Sequence, residues 1–322
     1  MIRIVAAVLA LACSIGLAHA QEGPYPNKPI RLVVPYPPGA LTDLLARAIG
    51  DRLAKALGQP VVIDNKPGAG TLVGADIVAK APPDGYTLLM ATSTTLGISP
   101  AMYKTPAIDP VRDFAAVSQA GAVNFFLIAN PSFPAKNVKE MIEVVRKNPG
   151  KYNYASVGSG SPHQLYMETI KTEYGLDIQH VPYKGTLAAL PDLLTDKVQL
   201  MFADATAAVP NIQAGKVTAL GTSAAKPTTL VANVPPIAAT IPGFDWQAWQ
   251  GVVAPAGTPA AVIARLAAEM QKIQQSDEWR EQLVKFGMEP SPPHTPEQFA
   301  AIIKADVPRW ATAVKAAGAK VE

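Results

Sequence analysis

Ile30-Arg31-Leu32-Val33-Val34-Pro35-Tyr36-Pro37-Pro38-Gly39-Ala40-Leu41-Thr42-Asp43 runs from an apolar, β-branched strand through a proline-rich loop into a helix. The helix carries Leu45, Ile49, Leu53 and Leu57 at intervals of four until Gly58 stops it. Val61-Val62-Ile63 is the next strand, a glycine-rich loop leads into a helix over Thr71 to Lys80, and Tyr86 to Met90 is a third strand. Strand and helix alternate in the way that predicts an α/β fold with parallel sheets.

The same alternation restarts downstream. Phe125-Phe126-Leu127-Ile128, a helix around Val138 to Lys147, Tyr152-Asn153-Tyr154-Ala155, a helix Gln164 to Tyr174, Ile178 to Val181, a helix Leu187 to Leu194 and Val198 to Phe202 form a second unit. The chain then returns through strands at Val217 to Thr222 and Gly251-Val252-Val253, and Thr258-Pro259 and Thr295-Pro296-Glu297-Gln298 open the last long helices. The second of these is a capping box with proline in the first turn. The expected architecture is two Rossmann-like lobes joined by two crossings around a central ligand cleft. Residues 21–122 and 226–322 form one lobe and 123–225 the other.

The first twenty residues stand apart. Arg3 begins a basic region, Ile4 to Leu17 is apolar apart from Ser14 and Gly16, and Ala18-His19-Ala20 is an A-x-A cleavage site, so 1–20 reads as a signal peptide and the mature chain begins at Gln21. Cys13 has a competing reading as the lipidated residue of a lipoprotein signal. Either way the protein is expected in the periplasm. Cleavage lowers Lys+Arg from 28 to 27 against 25 Asp+Glu and removes the sole cysteine, which excludes disulfides and cysteine-based metal sites.

Composition narrows the function further. The 322 residues are 49% hydrophobic and 16% charged with a net charge of +3, without Lys/Arg blocks or basic residues interleaved with aromatics. The chain can build a globular core, and a nucleic-acid footprint is excluded. No heptads or long exposed apolar stretch point to self-association, so a monomer is expected.

Two segments carry ligand chemistry. In Tyr36 to Asp43 a rigid proline loop places Gly39 where backbone can approach a ligand. The new helix then presents unpaired N–H groups and the positive end of its dipole, which suits an anion. Tyr36, Pro38, Gly39, Ala40, Thr42 and Asp43 are the candidates, and the alternative is an ordinary β-to-α turn in which Thr42 or Asp43 merely caps. In the second segment, Ser156-Val157-Gly158-Ser159-Gly160-Ser161-Pro162-His163 repeats the strand–loop–helix pattern at the C-terminal end of a strand, with three serine hydroxyls added. Its candidates are Ser156, Gly158, Ser159, Gly160, Ser161 and His163.

Catalytic readings fail on spacing. His163 stands where Gly158-Ser159-Gly160 would need a third glycine to complete a dinucleotide fingerprint, and Gly74 lies one residue too far from Gly68-Ala69-Gly70. A hydrolase G-x-S-x-G is not met because Gly158 directly precedes Ser159. His163, His180 and His294 have no metal-ligand spacing. No catalytic set emerges, and no metal or cofactor is expected.

Ordered motifs along the mature chain then carry a resemblance. They are Tyr25-Pro26 to Pro29-Ile30, Val34-Pro35-Tyr36 to Pro38-Gly39 with Asp43, Lys66-Pro67-Gly68-Ala69-Gly70, and Pro83-Asp84-Gly85-Tyr86-Thr87-Leu88-Leu89. Asp113-Phe114, Tyr154 to Ser161 with His163, His180-Val181-Pro182-Tyr183-Lys184-Gly185, Ala254-Pro255-Ala256-Gly257-Thr258-Pro259 and Arg309-Trp310 follow. The chain resembles the periplasmic solute-binding receptors of the tripartite tricarboxylate transporters, the Bug family. The resemblance implies a hinged periplasmic-binding-protein fold that captures a small organic carboxylate and delivers it to the transporter's membrane subunits, with no chemistry of its own. By position it adds Ser93, Thr95 and Asp204 to the cleft, Asp204 doubling as the N-cap of the following helix. Two departures stand out: Ala40 and Thr71 occupy positions where the family usually has glycine. Trp249 matches an aromatic position near the lobe junction, as packing or as a stacking surface. A periplasmic enzyme on a nucleotide-binding-like fold, and a sensor that docks to a signalling partner, are the alternatives to transport.

Overall fold

A computed structural model describes residues 25–290 and 292–319. The expected signal peptide, its cleavage site and Cys13 lie outside the described residues. The first unit comprises β1 (Ile30–Val34), α1 (Leu41–Leu57), β2 (Val61–Asn65), α2 (Leu72–Ala79), β3 (Thr87–Thr92), α3 (Ser99–Met102) and β4 (Phe114–Val123). The second comprises β5 (Phe125–Ala129), α4 (Val138–Lys147), β6 (Asn153–Ser156), α5 (Pro162–Tyr174), β7 (Gln179–Pro182), α6 (Thr186–Leu194), β8 (Leu200–Asp204), α7 (Ala205–Gln213) and β9 (Thr218–Thr222). The chain closes with β10 (Ala248–Pro255), α8 (Ala260–Gln275), α9 (Asp277–Lys285), β11 (Met288–Glu289) and α10 (Pro296–Ala316).

The strands form two sheets, one of six strands in the order β11-β4-β10-β3-β1-β2 and one of five in the order β7-β6-β8-β5-β9. The chain therefore passes between sheets twice, at Asn124 and again between Thr222 and Ala248. The sheets are mixed, which corrects the expectation of parallel sheets. β1 pairs in parallel with β2 and β3, and β6 with β7 and β8, but β10 runs antiparallel to β3 and β4, and β5 antiparallel to β8 and β9. Of the reversed strands, β5 and β10 enter a sheet directly from the other one, so no helical crossover turns them parallel, while the two-residue β11 pairs antiparallel with β4 at the edge of its sheet.

α1 follows its sequence pattern closely. Leu45, Ile49 and Leu53 are at most 2% exposed, contributing about 1.5 to 3 kcal/mol each, and Gly58 ends the helix in the left-handed conformation at φ 69°. Thr295 and Gln298 form the expected reciprocal capping box on α10. An aromatic cluster ties the C-terminal helix to the second unit and the second crossing: Trp310 of α10 lies 4.6 Å from Trp246 in that crossing and 5.8 Å from Tyr166 of α5, ring centre to ring centre.

β4 escapes the sequence reading. Phe-Ala-Ala-Val-Ser-Gln-Ala-Gly-Ala-Val has no two-residue alternation, because most of the strand is buried on both faces between β10 and β11.

A candidate ligand site built from two strand-to-helix turns

The first turn leaves the C-terminal end of β1 and enters α1. Gly39 holds a positive φ of 83°, while Ala40 is extended at φ −66° and ψ 155° as the N-cap. The glycine-to-alanine departure at Ala40 therefore costs nothing in backbone strain, unlike Thr71, which sits at φ 80°. Neither Thr42 nor Ala40 caps the helix through its side chain. Asp43 instead reaches back to accept the Gly39 N–H at 2.9 Å and is fully enclosed, with both oxygens engaged by Arg47 at 3.0 Å and Oδ1 also by Asn65 Nδ2 at 2.8 Å. Burial pushes this carboxyl up, yet the Arg47, Gly39 and Asn65 hydrogen bonds outweigh it and hold its pKa below the ordinary value.

The consequence is a specific set of uncommitted donors. The Gly39 N–H is consumed by Asp43 and the Ala40 N–H by Pro37 O at 3.3 Å, whereas the N–H groups of Leu41, Thr42 and Asp43 take no partner among the described residues. Pro38 is exposed on the rim. Tyr36 points back into the protein, its hydroxyl 3.1 Å from Thr92 Oγ1, which in turn lies 3.0 Å from Thr95 Oγ1. Burial pushes the Tyr36 phenol above its usual pKa, against the pull of these threonines.

Thr92 ends β3, and Thr94–Ile98 forms a single π-helical turn, an element that recurs at functional sites. Two positions implied by the resemblance lie here. Thr95 is buried within the threonine chain, and Ser93 is buried with no partner for its hydroxyl among the described residues.

The second turn leaves β6 for α5. Gly158 and Gly160 hold φ of 124° and 76°. Ser161 is the N-cap, accepting from Gln164 N at 3.4 Å and donating to Gly158 O at 2.6 Å. Ser156 Oγ accepts the Gly158 N–H at 3.1 Å, and Gln164 Oε1 accepts the Gly160 N–H at 2.7 Å. The backbone donors of Val157, of Ser159, whose side chain is exposed, and of His163 take no partner among the described residues. The His163 imidazole is buried edge-on against Phe125 at 4.9 Å with neither ring nitrogen partnered among the described residues. Burial drives its pKa down to about 4, against the opposing pull of the Asp204 carboxylate.

Asp204, at the end of β8, caps α7 by accepting from Ala207 N at 3.2 Å and from the Thr206 hydroxyl. Its other oxygen receives only a 3.4 Å contact from Thr186 Oγ1. Capping is thus its structural duty, with acceptor capacity left over. The second turn also reaches the first unit: a Cβ placed on Gly160 would collide with Met102 Cε in α3. The structure thus joins the first turn to the Ser93–Thr95 turn through Tyr36 and Thr92, and the second turn to α3 of the same unit through Met102. Sequence reasoning missed Arg47, Asn65, Thr92, Met102, Gln164 and His180 as the residues that set these turns. Only Arg47, four positions after Asp43 on one helix, carried a readable signal.

A cavity of about 600 Å³ lies elsewhere, lined by Gln119, Asn124, Lys226, Trp249, His294 and Arg309 among others, and by none of the predicted site residues. Trp249 there donates to Asp306 at 2.5 Å and packs edge-on against Phe299, so packing accounts for it. Among the described residues no cluster of three or more His, Cys, Asp or Glu could hold a metal ion, and no helix is long and apolar enough to cross a membrane.

Comparison with known proteins identifies the family. The family model described as tripartite tricarboxylate transporter family receptor matches residues 45–319. A UPF0065 protein of Bordetella pertussis is 38% identical over 290 residues, covering 88% of this chain and 87% of that one. Two solved structures cover similar spans: an R. palustris protein with adipate is 33% identical at a TM-score of 0.75, over 92% of this chain and all of that one. MatC from Rhodopseudomonas palustris with bound malate is 32% identical at a TM-score of 0.71, over 90% of this chain and all of that one. The chain belongs to the tripartite tricarboxylate transporter receptor family.

Proposed function

We propose that this protein is a periplasmic receptor that captures a small organic acid, most fittingly a dicarboxylate, between its two strand-to-helix turns and hands it to the membrane subunits of its transporter without transforming it. The observation that carries the reading is the pairing of two donor sets. Leu41, Thr42 and Asp43 N–H groups belong to one unit and Ser159 and His163 N–H groups to the other, and the buried Ser93 hydroxyl and His163 ring have no partner among the described residues. Each set sits at the positive end of a helix, α1 or α5, where a carboxylate is stabilised without a Lys or Arg in either loop. The relatives solved with adipate and malate, both dicarboxylates, agree with a ligand that carries an anion at each end.

Residues 21–122 with 226–322, and 123–225, then act as two lobes that close over the ligand about the crossings at Asn124 and 223–247, as a monomer. Only the ligand's preference for the closed state drives that motion. Mass spectrometry on protein purified from the periplasm and then denatured tests the assignment. It should release a small carboxylic acid in stoichiometric amount, from a chain whose intact mass begins at Gln21. Steady conversion of added acids to new products would contradict the reading, and a diacylglyceryl adduct on Cys13 would overturn the cleavage after Ala20.

A further inference from the structure

His180 belongs to a sequence motif, His180-Val181-Pro182-Tyr183, to which neither the carboxylate reading nor the helix ends give a task. It lies on β7, the edge strand beside β6, half-buried and stacked on Tyr154 with ring centres 5.0 Å apart. Its Nε2 is 2.6 Å from Ser156 Oγ and its Nδ1 is 3.3 Å from Gln164 Nε2. Those two partners are the groups that hold the Gly158 and Gly160 N–H groups.

The hydrogen-bond polarity of this chain is determined from one end. A backbone N–H only donates, so the Gly160 N–H fixes Gln164 Oε1 as acceptor, and the Gln164 amide NH2 therefore faces His180. His180 Nδ1 must then be an unprotonated acceptor, and its single proton resides on Nε2, which donates to Ser156 Oγ. Ser156 can in turn donate to Gly158 O at 3.2 Å. Every member is satisfied only when His180 is neutral and carries its proton on Nε2.

We propose that His180 is the positioning residue of the second ligand turn, holding Gly158 and Gly160 in the binding geometry through Ser156 and Gln164 and releasing them when the imidazole gains a second proton. The added proton on Nδ1 would face the Gln164 NH2, donor against donor. Turning the Gln164 amide to relieve that contact would present NH2 to the Gly160 N–H, so the conflict moves rather than disappears. The groups that face the ring agree with a neutral resting state. Burial lowers its pKa, Glu168 of α5 pulls the other way, and Lys171 of α5 adds to the lowering. Glu168 is itself engaged by Lys171 at 2.8 Å and by the Tyr154 hydroxyl of β6. Because the folded-state pKa is depressed, the tether is complete above the ordinary imidazole pKa of about 6.5 and is lost as the pH falls below it through the folded value.

The inference rests on the second turn being a ligand half-site, and the test separates the two. In the full mature protein without ligand, the backbone amide signals of Gly158 and Gly160 should titrate with the His180 ring. They should lose that transition in His180→Gln, whose amide can still donate to Ser156 but takes up no proton. Adipate serves as the dicarboxylate probe, compared between variants in the same buffers so that its own titration cancels. As the pH is lowered from 7.5 through the ring's own transition, wild-type affinity should fall by roughly an order of magnitude more than that of His180→Gln. His180→Phe, which keeps the ring stack but neither bond, should bind weakly throughout. Amide signals of Gly158 and Gly160 that ignore the His180 titration overturn the proposal. Amides that follow it while adipate binding is indifferent to all three forms uphold the tether and count instead against the second turn as a ligand site.

Discussion

The two turns share a backbone plan and differ in what holds them. The first carries its own anion: the enclosed Asp43 carboxylate occupies Gly39 N–H and is pinned by Arg47 and Asn65. The second contains no charge in its tether. Ser156, Gln164 and His180 hold Gly158 and Gly160 by neutral hydrogen bonds whose direction depends on one proton. An ionic clamp makes a turn rigid over a broad pH range, whereas a neutral relay makes it adjustable. On the proposed binding reading, the difference makes the first turn the fixed half-site and the second the responsive one.

Breaking the clamp is the largest perturbation. Asp43→Asn should cost about 2 to 4 kcal/mol of stability, because Gly39 N–H, Arg47 and Asn65 lose a shared charged acceptor. The Arg47 part is reduced by its exposure. Gln164→Ala in the other turn should cost only about 1 to 2 kcal/mol, the worth of a neutral bond to the buried Gly160 donor and a long one to His180. Urea unfolding of both variants decides this, and equal losses would erase the distinction. The acid limb separates the turns in the same sense. The lowered Asp43 pKa contributes stability that is present above about 3.9 and lost as the pH falls below it, whereas the His180 tether is complete only above about 6.5.

Much of this plan was legible in the sequence. Period-four leucines gave α1, Gly58 its end, and the Thr295 box the start of α10, because these signals are local. The two turns were also legible, since proline, glycine and serine between a β-branched run and a helix leave few backbone alternatives. Their donors were not. Glycine N–H groups that suggested ligand contacts are consumed by Asp43, Ser156 and Gln164, and only tertiary pairing shows that Leu41, Thr42, Asp43, Ser159 and His163 keep theirs. Asn65, Met102 and His180 approach the turns from distant stretches of the chain, and a single sequence has no periodicity to announce such contacts. The mixed strand directions were hidden for a related reason: β5 and β10 read as ordinary strands, and their reversal follows from which sheet the chain has just left.

The smallest expected effect compares the two glycines. A Cβ on Gly39 meets nothing within 4 Å, so Gly39→Ala carries only the strain of a positive φ, about 1 kcal/mol or slightly more. Gly160→Ala carries similar strain and also presses on the flexible end of Met102. Met102→Ala should therefore relieve part of the Gly160→Ala defect in adipate binding and none of the Gly39→Ala defect. A double-mutant cycle by calorimetry reads the coupling, and identical behaviour of both glycines would deny that the second turn meets the first unit when ligand is held.

The most direct measurement of the central claim is a calorimetric titration with mono- and dicarboxylates of matched length, against wild type and Ser159→Pro. With an anion seated at each helix start, each monocarboxylate should lose about 1.5 to 3 kcal/mol per charge-assisted bond forgone. Ser159→Pro, which removes an uncommitted donor of the second turn, should bring dicarboxylate affinity towards the monocarboxylate level without unfolding the protein. Equal affinities across the matched series, with Ser159→Pro binding like the parent, would contradict a ligand held at both ends.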